Sequence, residues 1–205
     1  MLVLRLKWKR FGIRHGRIRC GRACRFEDSM VEARTHRRLS RNRKKRTVPL
    51  SKLRTSEVVR TVVDHPRRLE ELLNMLDDKD RLVRGRAAAT LARLSESYPG
   101  RLLRIVERLQ EGLSDDSAYV RWHLVYALGC VGASFPRRAS GFLSELSSRL
   151  DDENRIVRVL ATKAMGHLAD RRPKMIRDLF EASRRTIPST VARILRRAGC
   201  LPKKP

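Results

Sequence analysis

The chain has 205 residues, of which 48 are Lys or Arg and 22 are Asp or Glu, giving a formal charge of +26 at neutral pH. A surplus of that size points to a polyanionic partner, nucleic acid or an acidic membrane surface, and argues against a cationic one. No run approaches the roughly 20 apolar residues of a membrane-spanning helix, and MLVLRLKWKRFGIRHGRIRC lacks the long apolar core of a secretory signal, so a cytoplasmic protein without a membrane span is expected.

Residues 1–52 hold 18 basic and 3 acidic side chains and are expected to form a basic N-terminal arm. The block Arg37, Arg38, Arg41, Arg43, Lys44, Lys45 and Arg46 offers almost nothing apolar to bury, and such segments order only against a polyanion. Trp8, Phe11 and Phe26 are interleaved with the cations, where aromatic rings can stack on unpaired bases. Met30, after Glu27, Asp28 and Ser29 whose codons can include a purine-rich ribosome-binding sequence, offers an alternative to a start at Met1, and the Arg37–Arg46 block survives either way. Cys20 and Cys24 stand near His15 and His36, but a zinc centre needs four ligands at firm spacings and no second pair exists. No metal or other cofactor is expected.

From residue 53 the pattern becomes helical. Ser56 to His65, SEVVRTVVDH, reads as a lone helix, and Pro66 follows it. Pro99, Pro136 and Pro173 then fall 37 residues apart, and proline favours a helix's first turn. Behind these prolines run the apolar series Leu69, Leu72, Leu73, Leu76; Leu102, Ile105, Val106, Leu109, Leu113; Phe142, Leu143, Leu146, Leu150; and Met175, Ile176, Leu179, Phe180. Each of the first three ends on an acidic turn at Asp78, Asp115 or Asp152, expected to cap a second helix. The second helices present Val83, Ala87, Leu91, Leu94, then Val120, Leu124, Leu128, Val131, then Val157, Ala161, Met165, Leu168, a spacing of four, four and three that is one helical face. Ile187 to Gly199, IPSTVARILRRAG, is a last second helix without the acidic turn. A fixed period of this size signals a solenoid whose end units are atypical.

Over roughly residues 55 to 199 the chain resembles the HEAT-repeat family, marked by a proline in the first helix, an Asp at the turn and a Val-Arg pair early in the second helix. The resemblance implies an all-α HEAT-like solenoid of about four helical hairpins, here residues 53–199, between the arm and a basic tail at 200–205. It also implies that Arg84, Arg121 and Arg158 pair with the turn Asp of a neighbouring unit, in a ladder that fixes stacking register.

Around the starting prolines sit Arg67 and Arg68, Arg101 and Arg104, Arg137 and Arg138, and Arg171, Arg172 and Lys174. Cations there oppose the positive end of a helix dipole, so two uses remain. They can hold phosphates along one edge of the solenoid, or they can serve the C-termini of the preceding second helices. Trp122 and His123 break their columns, either as packing between units or, for Trp122, as a stacking residue on an exposed face. HEAT-like alkylpurine DNA glycosylases use aromatics with an acid on such a face, but no acid stands free beside Trp122. No Gly-rich phosphate loop or nucleophile signature occurs. The expectation is a non-catalytic nucleic-acid-binding scaffold, with structured RNA such as ribosomal RNA ahead of DNA because the arm resembles the extensions of ribosomal proteins. The competing class is a protein–protein adaptor, the commonest use of solenoid surfaces.

Overall fold

The structure is a computed structural model that describes residues 48–202; Trp8 and the cationic block from Arg37 to Arg46 lie outside the described residues. Helices account for all its regular structure among those residues. A short 3-10 turn, Leu50–Lys52, leads into α1 (Thr55–Asp64). Then come α2 (Leu69–Asn74), α3 (Arg81–Ser97), α4 (Pro99–Leu102), α5 (Val106–Glu111) and α6 (Ala118–Ser134). The series closes with α7 (Leu143–Ser148), α8 (Arg155–Arg171), α9 (Pro173–Ser183) and α10 (Ser189–Arg197).

The second helices α1, α3, α6, α8 and α10 pack one on the next in chain order, and α3, α6, α8 and α10 each also touch their own first helix. Their inward stripe is the one the periodicity marked. Ala87, Leu91, Leu94, Val120, Leu124, Leu128, Val131, Val157, Ala161, Met165 and Leu168 are all buried in one continuous core. At about 1.5–3 kcal/mol for each large side chain, this stripe supplies most of the force that stacks the units. Close approach of α6 and α8 depends on Gly129, where an added Cβ would stand 3.0 Å from Cβ of Ala164.

Prolines end the second helices. His65, Tyr98, Phe135 and Arg172 each precede a proline and leave the helical region with φ between −129° and −140° and ψ between 52° and 81°. Clash with the proline ring excludes the α conformation for the residue before it. Pro66, Pro99 and Pro173 then open the next helical segment, as expected. Pro136 does not: it lies in a turn, and helical structure resumes only at Ala139.

Two expectations are corrected here. The first helices of the first three units are not continuous; each alternates short α and 3-10 pieces, as in Pro66–Arg68, Leu69–Asn74 and Met75–Asp77. Only α9 runs unbroken for 11 residues. The N-caps are also not Asp78, Asp115 and Asp152 but the residues two further on, Asp80, Ser117 and Asn154. The aspartates instead accept a hydrogen bond from those residues' backbone N–H at 2.8, 2.7 and 2.8 Å, which folds the turn and leaves the rest of each carboxylate for another partner.

Candidate functional site

The turn edge holds a ladder of arginines. Arg84 Nη1 donates to the carbonyls of Asp78 (3.0 Å) and Lys79 (3.2 Å) in its own turn, and its Nε donates to Asp115 Oδ2 of the next unit at 2.7 Å. Arg121 repeats the arrangement. Nη1 donates to the carbonyls of Asp115 and Asp116, Nε and Nη2 grip Asp152 at 2.9 and 3.0 Å, and Nη2 also reaches Glu153 at 2.7 Å. The Arg121 and Asp152 side chains are only 6% and 2% exposed. Burial works to raise the Asp152 pKa, yet the Arg121 hydrogen bonds and charge, the Asn154 N–H and Arg149 hold it below the usual carboxylate value. A buried pair of this kind fixes register more than it adds stability. Arg158 keeps the bonds within its own turn, to the carbonyls of Asp152 (2.6 Å) and Glu153 (2.9 Å), but makes no ion pair among the described residues.

The proline edge is different. Of its cations two have structural duties. Arg68 pairs with Glu71 at 2.8 Å and donates to the Val48 carbonyl at 2.7 Å, while Glu71 accepts from the Leu50 N–H at 2.8 Å, so the two together hold the start of the described chain. Arg101 donates to the carbonyls of Val62 and Val63 at 3.1 and 3.0 Å, satisfying the C-terminus of α1, and lies 5.3 Å from the Tyr98 ring centroid. Arg67, Arg104, Arg137, Arg138, Arg171, Arg172 and Lys174 are all exposed. None of these seven makes a side-chain hydrogen bond or ion pair among the described residues. The acidic side chains Asp77, Asp78, Asp115, Asp116, Asp151, Asp152 and Glu153 all belong to the opposite, turn edge.

On the second helices, Trp122 and His123 are brought together with Tyr119. The Trp122 and His123 rings stack at 3.6 Å, and Tyr119 meets them edge-on at 5.5 and 4.4 Å. His123 is buried and its Nδ1–H donates to the Tyr119 carbonyl at 2.7 Å. Burial drives its pKa down to about 4, the Arg93 charge acting in the same direction and the hydrogen bond against it. Tyr119 covers Gly85 of the preceding unit, where a Cβ would lie 3.0 Å from its ring, and the His123 ring packs on that Tyr119 ring. Trp122 is half-buried against the core with one face on His123. Sequence reasoning missed the bond from the Tyr126 hydroxyl to Glu96 at 2.9 Å, which bridges α3 and α6; no periodicity signals it, because Ala89 and Lys163 hold the equivalent positions.

Stacked helical hairpins held in register by an arginine–aspartate ladder define a repeat solenoid of the armadillo/HEAT type. Residues 69–140 match the family described as HEAT repeats. Among solved structures, a designed armadillo repeat protein in complex with the peptide (KR)4 is 21% identical at a TM-score of 0.52, over 71% of this chain and 67% of that one. A computationally designed armadillo repeat protein for modular peptide recognition is 22% identical at a TM-score of 0.55, over 71% and 69%. An engineered protein gives 20% identity and a TM-score of 0.53 over 73% and 68%. A comparison with curated proteins found no match. No helix among the described residues is long and apolar enough to cross a membrane. Such a scaffold fits a binding role.

Proposed function

We propose that the chain is a non-catalytic, cytoplasmic nucleic-acid-binding scaffold, with structured RNA preferred to DNA, that holds phosphates through the arm and the proline edge. The observation that carries this reading is the division of labour among arginines. Those of the turn edge are occupied by carboxylates or turn carbonyls, whereas seven of the nine proline-edge cations are exposed and unpaired among the described residues. Unpaired cations of one sign raise the local potential and draw in a polyanion. Phosphate contacts position a backbone without reading its sequence, which suits an edge built from a repeat. The arm residues Arg37, Arg38, Arg41, Arg43, Lys44, Lys45 and Arg46 add to the same charge, and Trp8 is a candidate for base stacking. The exposed part of Trp122 is a second one.

The test is a salt titration of binding to an RNA duplex and a DNA duplex of equal length. Phosphate-driven binding falls linearly on a log-log plot, with a slope near −0.9 for each phosphate neutralised on B-DNA. Exchanging Arg137, Arg138, Arg171, Arg172 and Lys174 for Gln should flatten that slope by several units. An unchanged slope would reject the edge as an interface. A protein adaptor is the second reading, favoured by the peptide bound to one similar solved structure. Here the cationic surface suits an acidic peptide, and binding to such a peptide with none to either duplex at low salt would support it.

A further inference from the structure

The arginine ladder has one rung without its anion. In Arg84 and Arg121 the Nη1 group holds the carbonyls of the home turn, while Nε and Nη2 hold the aspartate of the next unit. Arg158 uses Nη1 in the same way, and its Nε and Nη2 have no partner among the described residues.

What stands opposite follows from the helix starts. The ladder aspartates Asp78, Asp115 and Asp152 lie three residues before α3, α6 and α8, which begin at Arg81, Ala118 and Arg155. The last second helix, α10, begins at Ser189, and three residues before it is Thr186. Its apolar stripe agrees with that alignment: Val191 and Leu195 are buried as Val157 and Ala161 are in α8. A hydroxyl therefore occupies the ladder column at the only unit boundary among the described residues where the carboxylate is missing.

The loop carrying Thr186 is docked on the same edge. Arg185 forms an ion pair with Asp151, one residue before the carbonyls that Arg158 holds. Ile187, on the other side, packs against the core. Thr186 is fixed between these two anchors with its side chain exposed.

We propose that Thr186 is a phosphorylation site whose phosphate occupies the open Nε–Nη2 edge of Arg158 and completes the ladder. In the reaction, a protein kinase directs the Thr186 hydroxyl oxygen onto the γ-phosphorus of a nucleoside triphosphate. The bond to the bridging oxygen breaks, a nucleoside diphosphate leaves, and the hydroxyl proton passes to the kinase's base. Arg184 and Arg185 directly precede the threonine, so a kinase with an acidic peptide cleft suits it. The added group carries about −1.5 to −2 charge and three acceptor oxygens, and guanidinium binds phosphate in two-point contact as it binds carboxylate. Modification thus joins α10 to the third unit by the device that already joins the first three.

The experiment is a four-variant cycle in the full-length chain: wild type, Thr186→Asp, Arg158→Gln and the double variant. Two further proteins carry phosphothreonine installed at position 186 during translation, one with Arg158 and one with Arg158→Gln. Thr186→Asp and the phosphorylated chain should each raise Tm by about 2–4 °C, the shift expected for one partly buried ion pair in a chain of this size. Amide exchange within α10 should slow alongside. Arg158→Gln should erase both effects. Gains that survive Arg158→Gln would assign the anion to another cation, and unchanged Tm and exchange in both the Asp variant and the phosphorylated chain would overturn the proposal.

Discussion

Lowering the pH from 7 to 5 should destabilise this protein through a single buried ring. His123 is 6% exposed, and burial takes its pKa from 6.5 down to about 4. The unfolded chain therefore accepts a proton below about pH 6.5 that the folded chain refuses. Stability is complete above that pH and declines as the pH drops towards 4. A tenfold difference in proton affinity is worth ~1.4 kcal/mol, which gives a loss of about 2 kcal/mol at pH 5 and about 3 kcal/mol at pH 4. The ladder carboxylate Asp152, held below its ordinary value, titrates under this window, whereas burial raises the Glu96 carboxyl, which offsets part of the loss as the pH falls and does so equally in wild type and variant. Urea unfolding at pH 7, 6 and 5 measures the effect. His123→Asn keeps a side-chain donor for the Tyr119 carbonyl and cannot be protonated, so its curve should flatten between pH 7 and 5. A small residual slope is expected from His167, which burial shifts in the same direction but which is more open to solvent than His123. Parallel curves for wild type and His123→Asn would refute the reasoning.

Three further perturbations address the ladder, the helix contact and the arm. Arg121→Ala leaves the 2%-exposed Asp152 carboxylate without its main partner, which should cost about 3–5 kcal/mol in urea unfolding; Arg84→Ala should cost less, since its main partner Asp115 is 10% exposed, and equal losses would contradict the burial argument. Gly129→Val forces α6 from α8 at Ala164 and should cost about 1–3 kcal/mol, whereas Gly141→Ala, with open space around it, should leave Tm within a degree or two. Neutralising Arg41, Arg43, Lys44, Lys45 and Arg46 together should remove most affinity for an RNA duplex at low salt, and an unchanged Kd would dismiss the arm's role.

Much of the fold was legible because repetition converts single-residue signals into columns. Leu91, Leu128 and Met165 share one column, and a helix that must bury the same face three times repeats the same residues. The Asp and Arg columns were legible for the same reason, and the resemblance to HEAT repeats supplied their pairing across units. Local capping was read two residues too early. An aspartate before a helix is chemically suited to cap it, and only the backbone path shows that Asp115 folds the turn while Ser117 takes the cap position.

The candidate site divides along the same line. Nine cations beside four prolines could be counted in the sequence, but their state could not. Whether an arginine is free depends on which carbonyls and carboxylates lie within its reach, and those come from residues tens of positions away, as Val62 and Val63 do for Arg101. What the sequence alone determined was the period, the buried faces and the excess of positive charge, because each is a property of composition or spacing. What tertiary structure decided was which charges are consumed: Arg121 by Asp152, Arg68 by Glu71, and Arg158 by no carboxylate among the described residues. Ion pairing is set by distance and burial in space, and the order of residues along the chain does not contain either.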